Sequence, residues 1–243
     1  MKVRIRASLL PLPLLVLSML LLPVGCQQRR RSSGELVTEQ KKATVAKAEM
    51  LRAEIKMAAG ELTVEGGGKD EVSAEFRYRK GEMVPVFKLD NTSFRARLTV
   101  EQSDGDGGTF EGGENVWKVK LADGVATDLS INMGAGDAML RLGSLDLRSV
   151  SLNIGAGKVS ADLVGQPLRD YEVKIRGGVG DCEIFLPKQV GLRADVQGGI
   201  GSIDVVGLEK KNGAYENAEF ATGKVKIRLS AQGGVGSIRI VAR

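Results

Sequence analysis

The sequence contains no histidine and few aromatic residues. The absence of histidine excludes histidine-based catalytic triads, histidine general bases and ordinary zinc sites. Phe, Trp and Tyr make up 4% of the chain, which argues against an aromatic-lined ligand pocket or a platform for stacked bases. We therefore predict no catalytic residue, no metal ligand and no cofactor.

A large excess of positive charge is also missing. The formal net charge is +5, from 35 Lys and Arg against 30 Asp and Glu. Three of the basic residues, Lys2, Arg4 and Arg6, lie in a segment that we expect to be removed. The rest of the chain is nearly neutral and has no basic stripe with interleaved aromatic residues, so we predict no nucleic-acid partner.

Residues 1–25 are predicted to be a lipoprotein signal peptide. The three basic residues precede an apolar run that ends at Gly25-Cys26. A small residue directly before cysteine resembles a bacterial lipobox, with Pro23 in the place usually taken by leucine. Cys26 is therefore the predicted lipidation site and membrane anchor, on the periplasmic or cell-surface side of the envelope. The alternative is an uncleaved transmembrane anchor, because the apolar run is just long enough to span a bilayer.

A polar segment over residues 26–50 is predicted to be a tether that holds a domain off the membrane. Its arginines are candidates for a second, weak contact with anionic head groups, and a merely soluble linker is the alternative. Once Cys26 carries lipid, Cys182 has no intrachain disulfide partner. Cys182 occupies a position that is apolar in the repeats described below, so we predict a buried and unreactive core residue.

A short pattern with a glycine corner recurs along the chain, most clearly in residues 129–163. Apolar residues alternate before each corner, the count jumps by three across it, and alternation then resumes. Alternation predicts a strand with one buried face, and the three-residue step requires a bend that glycine tolerates. The predicted structural corners are Gly60, Gly136, Gly157, Gly180, Gly201 and Gly236. The alternation also places the residue before each corner on the buried face: Ala59, Ala135, Ala156, Val179, Ile200 and Val235.

A unit of roughly 21 residues cannot bury its own apolar face, whereas stacked units bury a continuous core. The predicted fold class is all-β, a β-solenoid or rack of about six G-x-G repeats. Residues 71–79, 94–102 and 116–121 alternate in the same way and predict an antiparallel insertion after the first repeat. We divide the exported part into an N-terminal part, 51–127, and a repetitive solenoid part, 128–243. A ladder of hairpins remains the alternative, because periodicity does not give strand direction.

These motifs resemble those of the bacterial toast-rack family, which is also described as adhesin domains and is related to the C-terminal domains of Lia-type envelope-stress regulators. The resemblance covers about residues 45–243. It rests on the segments 59–64 (AGELTV), 117–121 (WKVKL), 134–137 (GAGD), 155–157 (GAG), 178–181 (GVGD), 199–201 (GIG), 213–218 (GAYENA) and 233–238 (GGVGSI). It implies this fold and a role in envelope adhesion, scaffolding or stress sensing, and it supplies no catalytic residues.

We therefore predict a non-catalytic, lipid-anchored scaffold or adhesin-like protein that binds an envelope protein or glycan. One alternative, implied by the resemblance alone, is a modulator of an envelope-stress signalling system. A second is a glycan-active enzyme of the β-helical kind, although no pair of carboxylates stands out in a cleft-forming insertion. The outward positions carry mixed charge, as any soluble solenoid requires, and Asp146, Lys158 and Arg176 are among them.

Overall fold

The computed structural model describes residues 34–45, 47–80, 84–103 and 114–243. The predicted signal peptide, Cys26 and the start of the predicted tether lie outside these ranges. The first nine strands are β1 (Leu36–Thr44), β2 (Met50–Gly68), β3 (Glu71–Arg79), β4 (Pro85–Thr92), β5 (Arg95–Gln102), β6 (Asn115–Ala122), β7 (Ala126–Arg141), β8 (Leu147–Ala156) and β9 (Val159–Asp162). The remaining elements are β10 (Tyr171–Val179), β11 (Cys182–Leu186), β12 (Gly191–Gln197), β13 (Ile203–Val206), β14 (Glu209–Lys211), β15 (Ala214–Glu216), α1 (Glu219–Thr222), β16 (Lys226–Val235) and β17 (Ile238–Ala242).

The glycine repeats form the rungs of a rack, where a rung is one corner with the strand segments on both sides of it. β2 and β7 each cross the corner as one long bent strand, and the other rungs are the pairs β8–β9, β10–β11, β12–β13 and β16–β17. Neighbouring rungs pair in parallel and in register, as Ala53, Leu129 and Val150 illustrate. The parallel direction confirms the predicted rack and excludes the ladder of hairpins for the repeats.

The order of rungs in space departs from the order in the chain at one place. β16 lies between β10 and β12, and β17 lies between β11 and β13. The last repeat of the sequence is therefore an interior rung, and β12–β13 ends the stack. The insertion after Gly207, which holds β14, β15 and α1, gives the chain the length to return from the end rung to the interior position.

The core lies between the two halves of the bent rungs. Because the pattern steps by three at the corner, apolar residues on both sides of it point to the same interior. In β7, Leu129 and Ile131 before Gly136 are buried, as are Ala138 and Leu140 after it. This burial repeats from rung to rung, so the rack has one continuous core.

The residues of the predicted insertion extend the stack at its β2 end. β5 and β6 pair in parallel with the two halves of β2 and act as an additional, interrupted rung. β4 and β3 then pair antiparallel with β5 and β6. The expectation of antiparallel strands is therefore correct for the pair β3–β6 and for β5, which pairs antiparallel with β4. In addition, β5 and β6 each pair in parallel with the first repeat, which the sequence did not predict.

Two predicted domain boundaries do not match the structure. Residues 26–50 were expected to be a tether, but β1 starts at Leu36 and pairs antiparallel with β3, so the second half of that segment belongs to the sheet. Its few apolar residues, among them Val37 and Ala43, pack against the core. Backbone hydrogen bonds to β3 hold the remainder of the strand in place. The predicted boundary between residues 127 and 128 does not separate two domains, because it falls within β7, which pairs with β2 from Met50↔Ala126 to Glu65↔Arg141.

One outward position predicted from the sequence lies inside. Asp146 is buried, and its carboxylate accepts hydrogen bonds from Arg169 Nε at 2.8 Å and Nη2 at 2.6 Å. This bidentate pair joins the turn before β8 to the loop before β10.

Among the described residues, no helix is long and apolar enough to cross a membrane.

Candidate binding surface

The six predicted corner glycines stack directly on one another. All six have positive φ, between 118° at Gly136 and 146° at Gly201, a region that side chains with a Cβ rarely adopt. A Cβ added at Gly157 would lie 1.7 Å from the carbonyl oxygen of Gly136, and one at Gly180 would lie 1.8 Å from that of Gly157. The corners are therefore glycine for two reasons, backbone conformation and the distance between rungs.

None of the six residues directly before the corner glycines is buried, so the prediction that they lie on the buried face is wrong. Val179, Val235 and Ile200 are 55%, 45% and 76% exposed, and the three alanines at the equivalent positions are exposed or half-buried. The bend itself is the reason, because at the corner the chain turns around the core and points this side chain outward. A small apolar ridge therefore runs along the outside of the corner.

A row of polar side chains runs beside this ridge, and we call it the amide row. Its members lie four residues before the six corner glycines, in register along the stack. In spatial order they are Lys56, Asn132, Asn153, Arg176, Gln232 and Gln197. All of them are exposed except Asn153, which is half-buried.

Neighbours in the amide row contact one another across the rungs. Asn153 Nδ2 donates to Asn132 Oδ1 at 3.0 Å, and Arg176 Nε donates to Gln232 Oε1 at 3.3 Å. Lys56 at one end is paired with Glu54 at 3.0 Å and with Glu101 at 3.7 Å. The row thus holds amide and cationic groups at the spacing of the sheet, about 4.8 Å per rung.

The first four members of the amide row, from Lys56 to Arg176, line a shallow groove of about 720 Å³. The floor of the groove is backbone and small residues, Ala58, Gly134, Gly155 and Gly178, and none of the described residues that line it is a carboxylate. The glycines of the floor are required by the stacking, since a Cβ on Gly155 would lie 2.4 Å from the carbonyl oxygen of Gly134. A ligand can therefore approach the backbone closely along several rungs.

The amide row was not predicted from the sequence, although Arg176 was among the predicted outward charges. The outward residues were treated as one mixed-charge set. An alignment of the repeats on their corner glycines would have shown the position, because every member has the same offset from its corner.

Carboxylates on the other side of the corner connect rungs. Asp181 Oδ1 accepts hydrogen bonds from the Ser237 hydroxyl at 2.6 Å and from the Ser237 amide at 3.1 Å. These bonds hold the pKa of Asp181 below its usual value, so the carboxylate is ionised at neutral pH. Asp137 accepts in the same way from the amide of Lys158 at 3.1 Å. These aspartates therefore have a structural role in joining rungs.

Cys182 lies in the predicted register, beside Val159 on one rung and Ile238 on the other. It is half-buried, less enclosed than the sequence predicted. Burial nevertheless raises the pKa of the Cys182 thiol to about 12. The thiol is protonated at neutral pH and is a poor nucleophile.

We expect slow labelling of Cys182 by a bulky maleimide in a folded Cys26→Ser variant, followed by fast labelling in urea. Since the folded pKa lies above the unfolded value of about 8.5, the stability linked to this thiol is complete below that pH and declines as pH rises toward 12. Labelling rates at pH 7 check the burial of the thiol, and urea midpoints at pH 7 and pH 9 check the linked loss of stability. Equal rates for the folded and unfolded protein would contradict the prediction.

Within the described ranges, no group of three or more His, Cys, Asp or Glu side chains could hold a metal ion. The predicted lipidation site, Cys26, lies outside these ranges and remains a prediction. The corner glycines predicted from the sequence are brought together in one line, and the groove lies beside that line, with its floor two residues before the corners.

Comparisons with known proteins address the fold. A family model for the N-terminal domain of toast_rack, DUF2154, matches residues 31–185. The solved structure of a proposed cell adhesion protein from Clostridium sporogenes covers 86% of this chain and 100% of its own, with a TM-score of 0.81 and 24% sequence identity. That of a proposed adhesin from Bacteroides fragilis covers 86% of this chain and 98% of its own, at 14% identity and a TM-score of only 0.30. No curated protein matches the sequence. Since the family match spans more than half of the chain, this protein belongs to the toast-rack family.

Proposed function

We propose that this protein is a lipid-anchored, non-catalytic binding or scaffold protein of the bacterial cell envelope, and that it holds its envelope partner in the groove beside the amide row. The observation that carries the proposal is the groove itself, which extends over several rungs and presents polar groups at a regular spacing. A repetitive surface suits a long or repetitive partner better than a compact small molecule, because each rung offers a similar set of groups.

The lining of the groove favours binding over hydrolysis. Glycosidases ordinarily place two carboxylates on either side of the scissile bond, and the part of the groove lining that the structure describes contains none. The glycan-active enzyme considered from the sequence would need its acid and base elsewhere.

The position of β1 brings the domain close to its proposed anchor. Ten residues, 26–35, precede Leu36, and even a fully extended chain of that length spans at most about 36 Å. Lipid on Cys26 would therefore keep the rack near the membrane surface, where envelope polymers and proteins are concentrated. Membrane fractionation of a Cys26→Ser variant tests the anchor separately, and we expect it to move to the soluble fraction.

Binding through the groove is tested by filling it. Asn132→Trp places a large side chain in the groove without touching the core, and Met139→Trp, on the same strand beyond the corner and also exposed, is the matched control. We expect soluble Cys26→Ser protein to co-sediment with isolated envelopes, Asn132→Trp to lose most of this binding, and Met139→Trp to keep it. Equal sedimentation of the two tryptophan variants would overturn the groove as the binding surface.

A further inference from the structure

We propose that the ligand of the groove is an acidic polysaccharide, which lies along the stack with an anionic group on Arg176 and its hydroxyls on the flanking amides. This inference rests on the proposed function and names the class of its partner. The chemistry required is an anionic group on a polyhydroxylated chain, whether the group is a carboxylate or a phosphate.

Arg176 is the cation that the groove offers to a ligand. Its described contact is the hydrogen bond to Gln232, and no carboxylate in the described ranges lies within ion-pair distance of it. Lys56, the other cation of the row, is already paired with Glu54 and Glu101. A guanidinium presents two parallel N–H groups that match a carboxylate or a phosphate, and it is weakly hydrated compared with an ammonium. Arg176 therefore marks the place for the anionic group.

Six outward rows of the rungs carry charged side chains, and the amide row differs from the other five in its charge. It contains no carboxylate between Lys56 and Gln197. The other five rows each contain two or three: Asp128 and Glu172; Glu54 and Asp195; Glu61, Asp137 and Asp181; Glu183 and Asp204; Glu65 and Asp162. Mixed charge is what solubility requires, and its absence along this one row removes the repulsion that an anionic polymer would meet elsewhere.

The neutral members of the row suit hydroxyl groups. Asn153 and Gln232 flank Arg176 on the neighbouring rungs, and each side-chain amide both donates and accepts hydrogen bonds, as a sugar hydroxyl does. With a rung spacing of about 4.8 Å, Lys56 and Arg176 are roughly 14 Å apart, so the row follows several sugar units. The glycine floor leaves room for the rings to lie against the sheet.

Other polymers fit the groove less well. A peptide strand has no free sheet edge to join here, because β7, β8, β10 and β16 each already have a partner strand on both sides. The glycine floor also offers no pockets for alternate side chains, which peptide recognition uses. Among the described residues of the groove lining, a nucleic acid would meet one cation outside an ion pair and no aromatic side chain.

The test compares Arg176→Gln with Lys174→Gln in the full chain carrying Cys26→Ser. Lys174 lies two residues away on the same face of β10 and pairs with Glu172 at 3.1 Å, so its replacement removes the same charge outside the row. The ligands are polygalacturonate, poly(glycerol phosphate), neutral dextran and poly-glutamate, measured by affinity electrophoresis at physiological salt. Urea midpoints of both variants should equal that of the parent, because both side chains are exposed.

We expect the parent to bind at least one of the two acidic polymers and not dextran. Arg176→Gln should weaken that binding about tenfold or more, while Lys174→Gln changes it less than twofold. Arg176→Lys should restore only part of the affinity, since an ammonium lacks the bidentate fork. The stronger of the two acidic polymers identifies the carboxylate or the phosphate as the natural group.

Equal effects of the two glutamine variants, equal binding to dextran, or stronger binding to poly-glutamate would each overturn the inference. The envelope sedimentation experiment separates this failure from failure of the proposed function. If Asn132→Trp abolishes envelope binding but neither acidic polymer binds, the groove is the binding surface and the ligand class is wrong. If Asn132→Trp has no effect on envelope binding, the proposed function itself fails.

Discussion

Gly180→Ala is expected to unfold the rack or to lower its free energy of unfolding by about 4 kcal/mol or more. The φ of Gly180 is 135°, and a non-glycine residue held in such a region costs about 1–3 kcal/mol. The new Cβ would also lie 1.8 Å from the carbonyl oxygen of Gly157, so two rungs would have to separate. Since a single domain has only about 5–15 kcal/mol of stability, this one methyl group is a large fraction of the total.

Gly177→Ala is the matched control, three residues away on the same rung. Its Cβ would meet nothing closer than Ile154 Cγ2 at 3.9 Å, and its φ is not in the positive region. We expect a free energy of unfolding within about 1 kcal/mol of the parent, with a gain from reduced unfolded-state entropy as the favourable limit. Urea denaturation followed by circular dichroism measures both variants. A similar loss for the two would mean that the corner geometry does not hold the stack together.

The local chemistry of the repeats could be predicted from the sequence, because it depends on residues close in the chain. Alternating apolar residues identify strands, and a three-residue step with glycine identifies a bend. The same argument failed at Val179 and Ile200, since periodicity alone does not show that the chain turns outward between the two strands. The strand β1 was missed because its pairing with β3, rather than an apolar face, makes it a strand.

The arrangement of rungs could not be predicted from the sequence. Each repeat offers the same apolar faces to a neighbour, so stacking energy alone does not distinguish β16–β17 beside β10–β11 from β16–β17 at the end. The insertion after Gly207 determines the position of β16–β17, because β15 pairs antiparallel with β12 and occupies the outer side of β12. The last repeat then has its place between two rungs, and Gln232 comes to lie between Arg176 and Gln197 in the amide row.

The glycine framework beside the binding surface could be predicted from the sequence, but the polar side chains that line the surface could not. The corner glycines were identified as structural positions, and the floor of the groove lies two residues before them. The amide row became visible only when side chains distant in sequence were placed in register, because Asn153, Arg176 and Gln232 have no common feature as residues except their offset from a corner.

The central structural claim is that the last repeat is an interior rung, and Ile238 and Ile203 test it most directly. The two isoleucines lie side by side at the same position of adjacent rungs. Ile238 is 4% exposed, whereas Ile203, on the end rung, is 42% exposed. We expect Ile238→Ala to lower the free energy of unfolding by about 2–5 kcal/mol, as for a buried isoleucine. The loss for Ile203→Ala should be less than half as large, because its side chain is already partly in water. A larger loss for Ile203→Ala than for Ile238→Ala, measured by urea denaturation, would place the last repeat at the end of the stack and contradict the rung order on which the amide row depends.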